Sequence, residues 1–176
     1  MAHIAVLGLG NWGSAIARLW LLEGHKVKGW TIEQEVYESI TMEGMNNKYL
    51  PKHSLEGLEA TMHVEEALDG SEIIVLAVPS SVILNVVEDI IPHLRPGHVL
   101  LDLAKGLAPG KRLISEAIHQ MLTEKNMHNP LAVLTGPTIA PEAAGGVMTT
   151  ALVASEDVSV AENLAATLTT PTFILH

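Results

Sequence analysis

The segment that most constrains this chain is Gly8-Leu9-Gly10-Asn11-Trp12-Gly13, a G-x-G-x-x-G run entered directly from the apolar stretch Ile4-Ala5-Val6-Leu7. Each glycine answers a separate steric need. Gly8 permits a tight turn out of a strand, and Gly10 lets the backbone approach a pyrophosphate with no Cβ in the way. Gly13 lets a new helix pack closely on the strand it has just left. The stretch from about Trp12 to Leu22 then carries Ile16, Leu19, Trp20 and Leu22 at helical spacing, with Gly24 placed to cap its end. The start of such a helix offers unpaired N–H groups and a positive dipole end to phosphate oxygens. A strand, this turn and a helix, in that order, point to a bound dinucleotide. The competing reading is a glycine turn needed only for packing.

The rest of the chain repeats the alternation. Val27 to Trp30 reads as a second strand, Gln34 to Met42 as a helix, and Gly44 to His53 as a polar loop. Further strands are expected at Ile73 to Val78, Val99 to Leu103, Leu131 to Thr135, Thr149 to Ala154 and Phe173 to Leu175. Helices are expected at Val82 to Ile91, Arg112 to Leu122 and Val158 to Leu168, with a short helical patch after Gly136-Pro137. This predicts an α/β fold, a Rossmann-type doubly wound, mostly parallel sheet with helices on both faces, forming one domain over residues 1–176. Composition agrees: 48% of residues are hydrophobic but only 3% aromatic, so the core must be built from Ala, Val, Leu and Ile, as in buried parallel sheets.

Other totals exclude function classes. A formal net charge of -10 argues against nucleic acid or an anionic membrane as the partner. Small anionic ligands remain possible, because a few N–H groups and one lysine hold a phosphate locally. The absence of cysteine excludes disulfides, thiolate nucleophiles and Cys-based metal sites. The nine histidines are scattered without H-E-x-x-H spacing, so no metal site is expected. No G-x-S-x-G elbow supports a hydrolase. The apolar start is too short for a signal-peptide core, and no run approaches the ~20 apolar residues that span a bilayer. The expectation is a soluble, cytoplasmic protein.

Three segments fall at the carboxyl ends of strands, where ligands of such sheets bind. They are Ala77-Val78-Pro79-Ser80, Ala104-Lys105-Gly106-Leu107 and Thr135-Gly136-Pro137-Thr138-Ile139-Ala140-Pro141-Glu142. An acid near the end of the second strand binds ribose hydroxyls, whereas an arginine there suits a 2′-phosphate. Gly29-Trp30-Thr31-Ile32-Glu33 has no arginine, and its acid comes slightly late. The cofactor is therefore read as NAD or NADP, with a lean to NAD.

Together with Gly10 to Ala15 and Asn47-Lys48-Tyr49-Leu50-Pro51, these segments closely resemble NAD(P)-dependent glycerol-3-phosphate dehydrogenase, in matching order from Ile4 to about Phe173. The resemblance implies hydride transfer between dihydroxyacetone phosphate and sn-glycerol 3-phosphate. It implies cofactor contacts at Gly8, Gly10, Asn11, Trp12, Gly13, Tyr49, Pro79, Lys105 and Ala140, and substrate contacts at Lys105, Gly136 and Thr138. Lys105 lies between the two, and Ala140 approaches the nicotinamide. The family's general acid/base lysine and an arginine-containing phosphate site belong to a second, helical domain, so no catalytic residue is expected within these 176 residues. The chain is expected to act as a cofactor-binding domain with little turnover alone. Family members often carry an arginine near Ile32, which is a departure at the adenosine end.

Plainer roles compete at single positions. Lys105 as an ordinary charged strand end, Thr138 capping a helix from Ile139 with Glu142 near, Trp12 as packing and Tyr49 as an exposed loop aromatic all stand beside the ligand-binding roles. At the level of function, the alternative is a non-catalytic NAD(P)-binding regulatory or sensor module. A reductase of another substrate, such as ketopantoate, fits the Lys48 to Pro51 and Gly136 to Glu142 segments less well. An uncovered apolar face would allow a homodimer.

Overall fold

The computed structural model describes all 176 residues. Strand β1 (His3–Leu7) leads through the glycine turn into helix α1 (Asn11–Leu22) and strand β2 (Lys26–Trp30). Helix α2 (Gln34–Glu43), strand β3 (Glu59–Thr61), helix α3 (Val64–Leu68) and strand β4 (Ile73–Leu76) follow. Helix α4 (Ile83–Ile90), strand β5 (Val99–Asp102), helix α5 (Ile114–Glu124) and strand β6 (Leu131–Thr135) come next. Helix α6 (Ala140–Ala144), strand β7 (Thr149–Ser155), helix α7 (Val158–Leu168) and strand β8 (Phe173–Leu175) complete the order.

The strands form one eight-stranded sheet in the order β8-β7-β6-β5-β4-β1-β2-β3. Every neighbouring pair is parallel except β6 with β7. Read from β3, the order 3-2-1-4-5-6 is that of doubly wound dinucleotide folds, and it reverses direction between β1 and β4. The mostly parallel α/β sheet expected from the alternation is what the chain forms.

Strand periodicity of two divides the core into two layers. Ile4, Val6, Val27, Val75 and Leu101 pack beneath α1, α2, α6 and α7. Ala5, Leu7, Ile74, Leu76 and Leu100 face the other way, beneath α3, α4 and α5. Helices therefore cover both faces. Trp20 is fully buried and its indole N–H donates to the Leu168 carbonyl at 3.1 Å, joining α1 to α7.

The structure departs from the sequence pattern in three places. Gly44 to His53 is not a plain polar loop: Met45–Asn46 pairs antiparallel with Leu50–Ser54 in a small ribbon. Residues 59–68, to which the alternation assigns nothing, form β3 and α3, whose three and five residues are too short to show a period. Helix α5 starts at Ile114 rather than Arg112, because Arg112–Leu113 pairs with Leu107–Ala108. The Leu113 N–H is accepted by the Glu116 carboxylate at 3.2 Å, which fixes that helix start.

At the glycine turn the packing is at its tightest. Gly8 has φ +105° and its N–H donates to the Trp30 carbonyl at 3.0 Å, which ties the turn to the end of β2. A Cβ on Gly13 would lie 1.8 Å from the Gly8 carbonyl oxygen, whereas one on Gly10 would meet nothing within 4 Å. Gly13→Ala is therefore expected to cost about 3 kcal/mol or more of stability, or to prevent folding, as severe overpacking does. Gly10→Ala is expected to stay within about 1 kcal/mol of the parent. Denaturant unfolding of both variants measures the difference, and equal stabilities would contradict this packing.

Candidate functional site

The carboxyl ends of β1, β2, β4 and β5 open onto a cleft of about 900 Å³ at the reversal of strand order. β1 delivers Gly8, Gly10, Asn11 and Trp12 to its wall; β2 delivers Ile32 and Glu33. β4 supplies Pro79, β5 supplies Lys105, and the segment after β6 supplies Thr138 and Ala140. Tyr49 reaches the same space from the ribbon. Nine of the sequence-selected positions thus converge. Two do not line the cleft. Gly13 lies behind it, packed on Gly8, and Gly136 lies against β7, where a Cβ would be 3.1 Å from the Ala151 Cα.

Hydrogen-bond donors and one cation meet at the centre of the cleft. The first-turn N–H groups of α1 have no acceptor within the helix and face outward with the positive dipole end. Lys105 is exposed and takes part in none of the four ion pairs, so its ammonium is free for a ligand. Gly10 leaves open space where any other residue would project a Cβ. These features fit a dinucleotide pyrophosphate, and the volume lies within the range of cofactor sites. Trp12 serves two purposes at once: its ring lines the cleft and meets Phe173 edge-on, with centroids 6.0 Å apart. Thr138 does not cap α6, whose first flanking residue is Ile139 with no side-chain cap.

At the β2 end, Glu33 is held by two partners. Its carboxylate accepts from the Tyr49 hydroxyl at 2.8 Å and from the Lys48 ammonium at 2.5 Å. Lys48 also binds Glu35 and lies 5.4 Å from the centre of the Tyr49 ring. The hydrogen bonds from Lys48 and then Tyr49 hold the Glu33 carboxyl below its ordinary pKa, and those to Glu33 and Glu35 hold Lys48 above its own. The bond to Glu33 pushes the Tyr49 hydroxyl up. Charge stays on both sides across the neutral range.

Sequence reasoning missed Asn46. It is fully buried, and its amide donates to the Leu9 carbonyl at 2.9 Å and to the Ser14 hydroxyl at 2.8 Å, while its oxygen accepts the Tyr49 N–H at 3.0 Å. Its first two partners lie 37 and 32 residues away, so no local pattern marks it. Truncation strands a backbone N–H and half of a shared carbonyl. Asn46→Ala is expected to cost about 1–3 kcal/mol of stability, read by the shift in denaturant midpoint; no shift would show these bonds to be idle.

Asp102 is the other unforeseen group. It ends β5 at 2% exposure, and its carboxylate accepts the Ala104 N–H at 2.8 Å, shaping the turn that presents Lys105. Burial pushes its pKa from 3.8 to about 6, against the opposing pull of that bond. Because the folded value is the higher one, the folded state holds this proton more tightly between pH 3.8 and 6. The stabilisation is complete below 3.8 and is lost as pH rises through 6. Relative to Asp102→Asn, the parent is expected to gain on the order of 2–3 kcal/mol of unfolding free energy on going from pH 7.5 to 4. Paired unfolding curves at the two pH values test it, and a constant difference would refute it.

No group of three or more His, Asp or Glu side chains is placed to hold a metal ion, and no helix is long and apolar enough to cross a membrane. The family model described as NAD-dependent glycerol-3-phosphate dehydrogenase N-terminus matches residues 3–161. A glycerol-3-phosphate dehydrogenase (NAD(P)+) of Halothermothrix orenii is 35% identical over 175 residues, covering 99% of this chain and 50% of that protein. The crystal structure of glycerol-3-phosphate dehydrogenase from Coxiella burnetii matches with a TM-score of 0.90 at 31% identity, over 99% of this chain and 53% of that one. A UDP-D-ManNAc dehydrogenase of Pyrococcus horikoshii, with a TM-score of 0.79 and 20% identity over 98% of this chain and 46% of that one, shares the fold alone. The chain spans about half the length of the curated relatives it matches.

Proposed function

Because the chain belongs to the NAD-dependent glycerol-3-phosphate dehydrogenase N-terminal family, we propose that residues 1–176 form the cofactor-binding domain of an enzyme interconverting dihydroxyacetone phosphate and sn-glycerol 3-phosphate. The observation that carries this is the convergence of the open first turn of α1 and the unpaired Lys105 on one cleft. The backbone at Gly8, Gly10, Asn11 and Trp12 would hold the pyrophosphate, with Gly13 setting how closely α1 approaches it. Tyr49 and Pro79 would bound the dinucleotide, and Ala140 would flank its nicotinamide end. A bound nicotinamide supplies the hydride chemistry.

The substrate side of this reading is Lys105 with Thr138 and the Gly136 turn. An ammonium with three donors can hold a substrate oxygen or phosphate as a point charge while touching the cofactor. The Thr138 hydroxyl is not spent on capping and is free to donate. By the resemblance, the proton-transferring lysine lies in the half of the relatives that this chain does not match. We therefore propose that these residues bind and orient, and that turnover requires that second half. The absence of cysteine suits a reducing cytoplasm as the place of work.

Of the two dinucleotides, NAD is the better fit, because the β2 end presents the Glu33 carboxylate and Ile32 where a 2′-phosphate would need positive charge. Calorimetric titration of the chain with NADH is expected to give a dissociation constant in the micromolar range, about -8 kcal/mol. Gly10→Val is expected to fold and to lose that binding. Absence of NADH and NADPH binding in the millimolar range would overturn the cofactor reading.

A further inference from the structure

We propose that Asp102 is the positioning residue for Lys105: its carboxylate fixes the backbone that carries the lysine, and without it the lysine no longer helps to hold an anion. The inference rests on the cofactor reading above and deepens it, by giving a role at the site to a buried group that does not itself reach the cleft.

Asp102 is the last residue of β5, in register with Leu76 on β4 and Val133 on β6. It does not line the cleft, whereas the next three residues, Leu103, Ala104 and Lys105, all do. Both of its neighbours in the sheet are apolar, and it takes part in none of the ion pairs. A carboxylate buried there costs stability, because no opposite charge repays its desolvation. Packing does not explain that cost. The one hydrogen bond the carboxylate makes is to the Ala104 N–H, immediately before Lys105.

That bond closes a turn of the kind Asp side chains favour, with the donor two residues after the acceptor. Two further restraints act beside it. The Leu103 N–H donates to the Leu76 carbonyl at 3.0 Å. Gly106 adopts φ +120° against Ser80, whose Oγ would lie 3.2 Å from a Cβ at that position. The backbone is thus held on both sides of Lys105, while the lysine side chain is exposed and unpaired. Its aim depends on that backbone alone. Removing the carboxylate frees the Ala104 peptide, and the lysine is then ordered only as the ligand binds, at an entropic cost that offsets its attraction. An Asn side chain keeps an acceptor oxygen in the same place, and an Ala side chain does not.

The test measures what Lys105 contributes to binding: the ratio of NADH affinities without and with Lys105→Ala, taken in the parent, Asp102→Ala and Asp102→Asn. In the parent this ratio is expected to be ~10-fold or more, the strength of a hydrogen bond to a charged group. In Asp102→Ala it is expected to fall to ~3-fold or less, so that the two substitutions are non-additive. In Asp102→Asn it is expected to return close to the parental value. A residue that only stabilised the domain would shift the unfolding midpoint and leave the ratio where it was. A parental ratio near unity, a ratio unmoved by Asp102→Ala, or one that Asp102→Asn fails to restore would each overturn the proposal while leaving the cofactor reading intact. A parent that binds neither NADH nor NADPH would remove both.

Discussion

Helix α1 begins where a methyl group on Gly13 would sit 1.8 Å from the Gly8 carbonyl oxygen, so only hydrogen fits between the helix and the turn beneath it. That contact sets the height of α1 above β1, and much of the molecule follows from it. With α1 seated this low, Trp20 reaches the last turn of α7 and ties the first helix to the last. The open N–H groups of its first turn come level with the carboxyl ends of β1 and β4. There the strand order reverses and the loops on either side diverge, leaving a space that no helix fills. The site is a consequence of sheet topology, and the glycine contact is what aims a helix terminus into it.

An acidic chain with a net charge of -10 can hold a polyanionic ligand because binding depends on local groups. Within the cleft the groups open to an anion are backbone dipoles, which carry no net charge, and the unpaired Lys105, a single positive charge. The carboxylates cluster at the far end, where Glu33 is fixed by Tyr49 and Lys48. Positive potential in the centre and negative charge at one end give the cleft a polarity along its length. A ligand with phosphates in its middle and a hydroxyl pair at one end matches that polarity.

How much of this was legible depended on the range of the interaction. The strands β6 and β8 and helix α7 stand at the residues the periodicity gave, because each is long enough, or sharply enough bounded, to carry its own signal. The glycine turn was legible for a related reason: its steric demands act within six residues. β3 and α3 were not, being too short to show a period. Asn46 and Asp102 escaped notice because neither residue type nor spacing announces burial. One is explained by Leu9 and Ser14 across the fold, the other by strands on both sides of β5. Glu33 was visible as an acid slightly out of place, and only the ribbon explains why its position is workable.

That ribbon links the two ends of the site. From Asn46 it grips the Leu9 carbonyl inside the glycine turn, and from Lys48 and Tyr49 it grips Glu33 after β2. The glycine turn and the Glu33 end of the cleft are therefore not independently positioned: a shift of the ribbon moves both. The turn alone would leave the peptide at Leu9 held only by Ser14. Glu33 alone, on an exposed loop, would sample many rotamers at an entropic cost on binding. Two anchors on one short hairpin remove both freedoms before any ligand arrives. The element the sequence pattern read as a polar loop is thus the part of the chain that preorganises the cleft.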